Sequence, residues 1–297
     1  MKTTHLLTLL LTATAALGQG RLAPLVAPAP TMKTLEQIEA RTPIPPSPVG
    51  PHFTITKPGS YYLTGNITVS SGDAITINAD NVASDVSIDL NGFTIRSTLT
   101  GSSSGSAIRC TGVFTRLTVR NGSLVSTSNA TSVPPILQGF AHGISGGGVL
   151  TEALISNVHV SGMANIGIYL DQQSIVENCT ATKNGDDGIT ASSGIVTNCR
   201  ASSNRGDGIY AFGGIVTNCR ATGNLDDGIY AFGGIVTNCR ATGNSNDGIQ
   251  VNPGVVAHCV ASGNDPDAVA TDYDIKVTAG GQRIGNVPAT EAGSPSP

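Results

Sequence analysis

The stretch "DGIYAFGGIVTNCRATGN" runs from Asp207 to Asn224 and returns unchanged from Asp227 to Asn244. Working outward from these copies, cysteines stand at 179, 199, 219, 239 and 259, twenty residues apart throughout. Asn184, Asn204, Asn224, Asn244 and Asn264 keep that period, and so do Asp187, Asp207, Asp227, Asp247 and Asp267. Gly-Ile pairs begin at 188, 208, 228 and 248 and continue as Ala268-Val269. Gly167-Ile168, Gly143-Ile144, Ala107-Ile108 and Ala74-Ile75 are looser members, which makes nine starts in all. Self-similarity at a fixed short period is the signature of a stacked repeat architecture.

Within the copy from Asp207, Ile209 and Ala211 share one face, Val216 stands alone after Gly213-Gly214, and Cys219 and Ala221 share a face. Alternation with period two over short stretches, broken by Gly-Gly and by Asn- and Gly-rich turns, predicts three short strands per unit and no amphipathic helix. Three strands and three turns in about twenty residues, stacked at the ~4.8 Å spacing between strands, make an all-β parallel solenoid. Each coil leaves its inward residues uncovered until the next coil stacks on it, which is why a coil can be copied.

"GIVTNCRATGNLDDGIY" (Gly214–Tyr230) resembles the parallel β-helix repeats of secreted bacterial proteins with a right-handed, pectin-lyase-like fold. "ITKPGSYYLTGNITV" (Ile55–Val69) and "VSIDLNGFTI" (Val86–Ile95) resemble the first coils of that family. The resemblance covers roughly Phe53 to Val277 and implies a single-stranded right-handed parallel β-helix of about nine coils. It does not select an activity, because lyases, hydrolases, epimerases and non-enzymatic surface proteins share the fold. The calcium-binding nonapeptide solenoid is set aside, since its period of about nine and its GGxGxD signature are absent.

The remaining segments divide the chain. Lys2, an apolar run from Leu6 to Leu17 and the small residues Ala16 and Gly18 predict a secretory signal peptide over residues 1–18. That run is shorter than the ~20 residues needed to span a bilayer, and no later stretch is long enough, so no membrane span is expected. Residues 19–52 read as a Pro-rich linker followed by a short capping helix in "TMKTLEQIEAR" (Thr31–Arg41), stopped by Pro43. Residues 53–285 are the β-helix domain and 286–297 a disordered tail. Formal charge is −4, and −5 once Lys2 is lost with the leader, which argues against a nucleic-acid partner. The expected product is an exported, secreted or periplasmic or cell-surface monomer.

The columns carry the functional reading. The five in-line cysteines are either free stacked thiols or, in an oxidising compartment, include one or two disulfides; Cys110 falls on a different strand. The Asn column reads as a structural amide ladder. Stacked carboxylates repel by about 1 kcal/mol per pair even in water-like dielectric, so the Asp column needs an offset. Either each Asp accepts backbone N–H bonds, or Ca2+ bridges Asp187, Asp207, Asp227 and Asp247, with Asp186 and Asp226 as extra ligands. If Ile209 and Ala211 point inward, Tyr210 and Phe212 point outward, repeated by Tyr230 and Phe232 and preceded by Tyr169. These are the candidate ligand-binding residues; in the pectin-lyase-like family this strand face commonly lines the sugar cleft, which implies a polysaccharide partner. The alternative is an aromatic ladder that stiffens the sheet. Arg200, Arg220 and Arg240 form a separate outward stripe, read as solubilising or as a contact for acidic sugars.

For catalysis, Asp187, Asp207 and His142 are the candidates. "AHGIS" (Ala141–Ser145) resembles the histidine motif of polygalacturonases and "NGDDGI" (Asn184–Ile189) their paired-aspartate motif, but here the histidine comes first. Acid–base catalysis needs carboxyl groups in different surroundings, whereas identical coils are expected to give identical ones. The sequence therefore points to a non-catalytic polysaccharide-binding or surface protein that requires no cofactor. A lyase, hydrolase or epimerase acting on acidic glycans is the alternative. A flat Ile/Thr face (Ile195, Ile215, Ile235 with Thr197, Thr217, Thr237) leaves ice binding as a minor third.

Overall fold

Ile209–Phe212, Ile215–Thr217 and Arg220–Thr222 are the three strands of the copied unit. Each pairs in parallel with its own repeat one coil on, Ile209 with Ile229, Val216 with Val236 and Ala221 with Ala241. The computed structural model describes residues 41–46, 53–78, 84–146, 150–264, 274–278, 280–288 and 291–292, and every element among them is a strand. First strands form an eleven-stranded parallel sheet. Second and third strands form one twenty-stranded sheet, because Phe114–Val125 and Leu154–Ser161 run through the bend that separates them elsewhere.

Inward and outward residues alternate as the pattern demands. Ile209, Ala211, Val216, Cys219 and Ala221 are buried in one continuous core, while Phe212, Ile215 and Arg220 are exposed. Between the second and third strands the chain turns on a left-handed residue, Asn198, Asn218, Asn238 and His258 at φ of 53°, 55°, 54° and 54°. Asn tolerates that region better than most L residues. All six cysteines are free and buried, and the backbone N–H of Cys199 points at Cys219 Sγ, 3.4 Å away. Burial pushes the Cys110 thiol up to about 12.

The Asn column is the buried ladder at the third bend. The side-chain amides of Asn184, Asn204, Asn224 and Asn244 donate to the carbonyl oxygen of the next Asn at 2.9, 3.0, 2.9 and 2.7 Å. The same oxygen accepts the backbone N–H of the preceding Asn, at 3.1 Å for Asn204 onto Asn224. Gly208 sits against this ladder; a Cβ there would lie 2.5 Å from the Gly228 carbonyl oxygen and 2.6 Å from Asn224 Nδ2. The Gly of each Gly-Ile pair is thus required by close backbone approach.

Both ends differ from the expectation. The capping helix and the leader lie outside the described residues, except Arg41. Within the expected linker, Thr42–Ile44 is already a strand, paired with Tyr61–Leu63, and Ile44 is fully buried. Pro43 fits there because this strand is the sheet's edge, where a missing N–H costs nothing. Asp267 and Ala268-Val269 lie outside the described residues. The strand that continues the Gly-Ile column is Ile275–Val277, in register with Ile249–Val251, so the coil start is not at 268. Asp274 takes over the ladder there, accepting both the backbone N–H and the amide of Asn264 at 3.1 and 2.7 Å. The tail begins later than 286: Asn286 accepts the Cys259 N–H at 2.9 Å, and Val287–Pro288 pairs with the strand Val260–Ser262. No helix among the described residues is long and apolar enough to cross a membrane.

Asn224→Ala would strip the acceptor from a buried N–H and a buried amide of Asn204, each costing about 1–3 kcal/mol. Chemical denaturation should show that loss, with Arg220→Ala within about 0.5 kcal/mol of the parent. Equal midpoints for the two variants would remove the ladder from the account.

Candidate functional site

The sheet of first strands presents two neighbouring columns. One is the aspartate column at the bend before each strand. The other is the first outward position, where Tyr169, Thr190, Tyr210, Tyr230, Gln250 and Lys276 lie in register.

In the first column each carboxylate reaches along the axis. Oδ1 of Asp187, Asp207 and Asp227 accepts the backbone N–H of Asp207, Asp227 and Asp247 at 2.9, 3.0 and 2.9 Å. This is the backbone offset expected from the sequence, with donors one coil away. The second oxygens are served from the neighbouring column. Thr190 Oγ1 donates to Asp187 Oδ2 at 3.0 Å and Lys276 Nζ to Asp247 Oδ2 at 2.9 Å. With its amide oriented to donate, Gln250 reaches Oδ2 of both Asp227 and Asp247 at 2.9 Å.

At Asp207 the corresponding residue is Tyr210. Burial, reinforced by Asp227 and Asp187, pushes the Asp207 carboxyl up to about 9. Burial and then Asp247 push Asp227 up to about 8, and burial with Asp186 brings Asp187 to about 6. The expectation of identical surroundings is therefore wrong. The column is finite, and its ends are a hydroxyl on one side and an amide and a cation on the other. At neutral pH the central carboxyls keep protons and can donate hydrogen bonds as well as accept them.

One carboxylate oxygen each from Asp207, Asp226 and Asp227 lie within 4.8 Å of one another, a spacing that suits a hard cation. Asp186, Asp187 and Asp247 are not part of this group; Asp186 is exposed on its bend.

Four of the five candidate aromatics form two pairs. Tyr210 and Tyr230 lie with ring centroids 5.4 Å apart and planes at 59°; Phe212 and Phe232 are stacked at 5.1 Å and 6°. The Phe rings thus cover one face of each other, as a ladder does, and remain exposed, while the tilted tyrosines are half-buried. Tyr169 is apart from them and lies 6.1 Å from the His142 ring.

His142 sits in register with Ser106, with a coil between it and Asp187, so the structure does not join the three catalytic candidates. It borders a cavity of about 250 Å³ lined by Ser106, Arg109 and Ser145. Burial lowers its pKa, Arg109 adds to that, and Asp186 opposes it. Arg109 and Lys276 escaped the sequence reading; their signal is position, each directly after an Ile of the first-strand column. On the second strand Thr237 Oγ1 donates to Thr217 Oγ1 at 3.0 Å, beside exposed Ile215 and Ile235.

A family described as "Right handed beta helix region" matches residues 142–284. Among solved structures, the A-module of mannuronan C-5 epimerase AlgE4 from Azotobacter vinelandii is similar with TM-score 0.58 at 16% identity, over 77% of this chain and 68% of that one. The AlgE6 A-module of the same organism gives 0.55 at 11% identity, over 79% and 80%. ORF18 of Geobacillus virus E2 gives 0.59 at 16% identity, over 78% and 51%. No curated protein sequence matches the chain.

A carboxyl raised above its unfolded value near 3.9 binds a proton in the folded state that the unfolded chain has lost. Its stabilising contribution is full below about pH 4 and is lost as pH rises through the folded values of about 6 to 9. The slope is about 1.4 kcal/mol per pH unit for each proton so held. The Tm should fall between pH 5 and pH 9, and Asp207→Asn should flatten the fall and raise the Tm at pH 8. A parent Tm that rises over this range would contradict the assignment.

Proposed function

The chain is a right-handed parallel β-helix protein, and we propose that its sheet of first strands is a glycan-binding face. The observation that carries this reading is the tilted pair Tyr210–Tyr230, half-buried on the sheet's outer side directly beside carboxyls that burial holds protonated. Tyrosine rings suit the apolar faces of sugars and offer a hydroxyl at the tip. Protonated carboxyls match sugar hydroxyls, which also both donate and accept. The mannuronan epimerases of similar fold are consistent with a polysaccharide ligand. The apolar run Leu6–Leu17 supports action outside the cytoplasm.

A second reading rests on His142. A neutral imidazole near the Tyr169 ring and beside Arg109 in a cavity would suit proton abstraction from a uronate whose carboxylate the guanidinium neutralises. New unsaturated or C-5-inverted uronate residues, absent with His142→Ala, would support it. Calcium at Asp207, Asp226 and Asp227 is compatible with either reading; it would compete with the protons held there. Bound calcium should raise the Tm at pH 8, and chelator should reverse the gain.

The binding reading is tested by affinity electrophoresis through gels holding neutral or acidic polysaccharides. The double variant Tyr210→Ala/Tyr230→Ala should lose retardation by on the order of tenfold in affinity. Retardation equal to that of the parent would overturn it.

A further inference from the structure

The ladder of outward residues at the end of the first strand has a gap. Asp171, Ser192, Phe212 and Phe232 follow one another coil by coil at this position. Phe232 covers one face of the Phe212 ring. On the other side the next residue is Ser192, whose hydroxymethyl group is too small to cover an aromatic face. A rung is missing, and Phe212 and Ser192 both border a cavity of about 450 Å³. Its walls are Phe212, Ser192, Gln172, Thr151, Val113 and Asp171.

One polar atom of the Asp171 side chain, which borders this cavity, lacks a partner. Oδ2 of Asp171 is shielded from solvent and accepts no hydrogen bond. A buried carboxylate oxygen without a donor is costly, so the side chain gains by turning that oxygen towards a donor offered in the cavity. Nothing else in the lining is charged, so the cavity is an aromatic face, a carboxylate and several hydroxyl and amide groups.

We propose that this cavity is a subsite for one neutral pyranose ring, which stands in for the missing rung. The apolar C–H face of the sugar packs on the open face of Phe212, as the next aromatic ring would. Its hydroxyls donate to the Asp171 carboxylate, which turns its unpartnered oxygen to meet them, and exchange hydrogen bonds with Ser192, Thr151 and Gln172. A rung occupies ~4.8 Å along the axis, about the thickness of a pyranose chair. The volume falls within the range of about 300–1,000 Å³ typical of small-molecule sites. Charge selects against a uronate, whose carboxylate would face that of Asp171 with no cation in the lining to balance the two. The subsite rests on the glycan-binding reading and adjoins the face already described, since Phe212 is on the same strand as Tyr210.

The test uses the full chain with phenylalanine rings labelled with carbon-13. Methyl glycosides of glucose, galactose and mannose, and of glucuronic and galacturonic acid, are titrated while ring signals are followed by NMR. At least one neutral glycoside should shift the Phe212 signals, with the uronides weaker by on the order of tenfold. Ser192→Phe completes the ladder with protein and should abolish the shift. Asp171→Ala keeps the cavity open and should weaken binding by about tenfold or more, as expected for a hydrogen bond to a charged group. No shift of Phe212 with any neutral glycoside, or equal affinity in both variants, overturns the subsite. Polymer retardation separates the two claims. If it is lost in Tyr210→Ala/Tyr230→Ala but the Phe212 signals never respond, the glycan face stands and the subsite falls. If neutral glycosides bind while no polymer is retarded, the subsite stands and the extended face falls.

Discussion

Everything in this molecule follows from one coil lying on the next at a single strand spacing. Parallel backbone hydrogen bonds lock the register, so that Ile209 meets Ile229 and Arg220 meets Arg240. Any residue type fixed in the repeat is therefore placed beside copies of itself, about 4.8 Å away. Each buried position must hold a side chain that tolerates its own kind. Ile, Val and Ala do so by packing. Asn does so because its amide is both donor and acceptor, and the ladder from Asn184 ends only where Asp274 supplies a final acceptor.

Aspartate is the side chain that cannot pair with itself while ionised. The structure meets this in two ways, by aiming one oxygen of each carboxyl at the next backbone N–H and by retaining protons on the buried middle of the column. The consequence reaches function. A column of equal charges would be a uniformly acidic stripe, whereas this one is graded from an early-titrating Asp187 to protonated carboxyls beside the tyrosines. The first-strand sheet thus sets half-buried tyrosines beside a column of buried, largely neutral carboxyls, and the ion-paired Asp247–Lys276 closes the column at one end.

The interior of the repeat was legible in the sequence because alternation and period determine which way each side chain points. Ile209, Val216 and Ala221 are inside and Phe212 and Arg220 outside, as their spacing requires. What periodicity could not convey is what happens where it stops. Ile275 rather than Val269 continues the first-strand column, because the coil that begins at Ile249 is longer than the copied ones and local similarity favours the nearer match. Pro43 reads as a helix stop yet sits in an edge strand, since an edge leaves a missing donor harmless. The unequal carboxyls come first from burial and from how many carboxyl neighbours each has, with Thr190 lowering Asp187 and Lys276 lowering Asp227 where Tyr is not repeated. The open rung at Ser192 belongs to the same class: a break in the copying, visible as chemistry only once the register is known.

The grading of the carboxyl column is the central physical claim, and carbon-13 NMR of the aspartate carboxyl signals against pH tests it directly. Asp187 should titrate first, about pH 6, with Asp227 about 8 and Asp207 about 9. All three titrating together near the ordinary carboxylate value of about 3.9 would contradict the account, because the column would then be a fully ionised stripe.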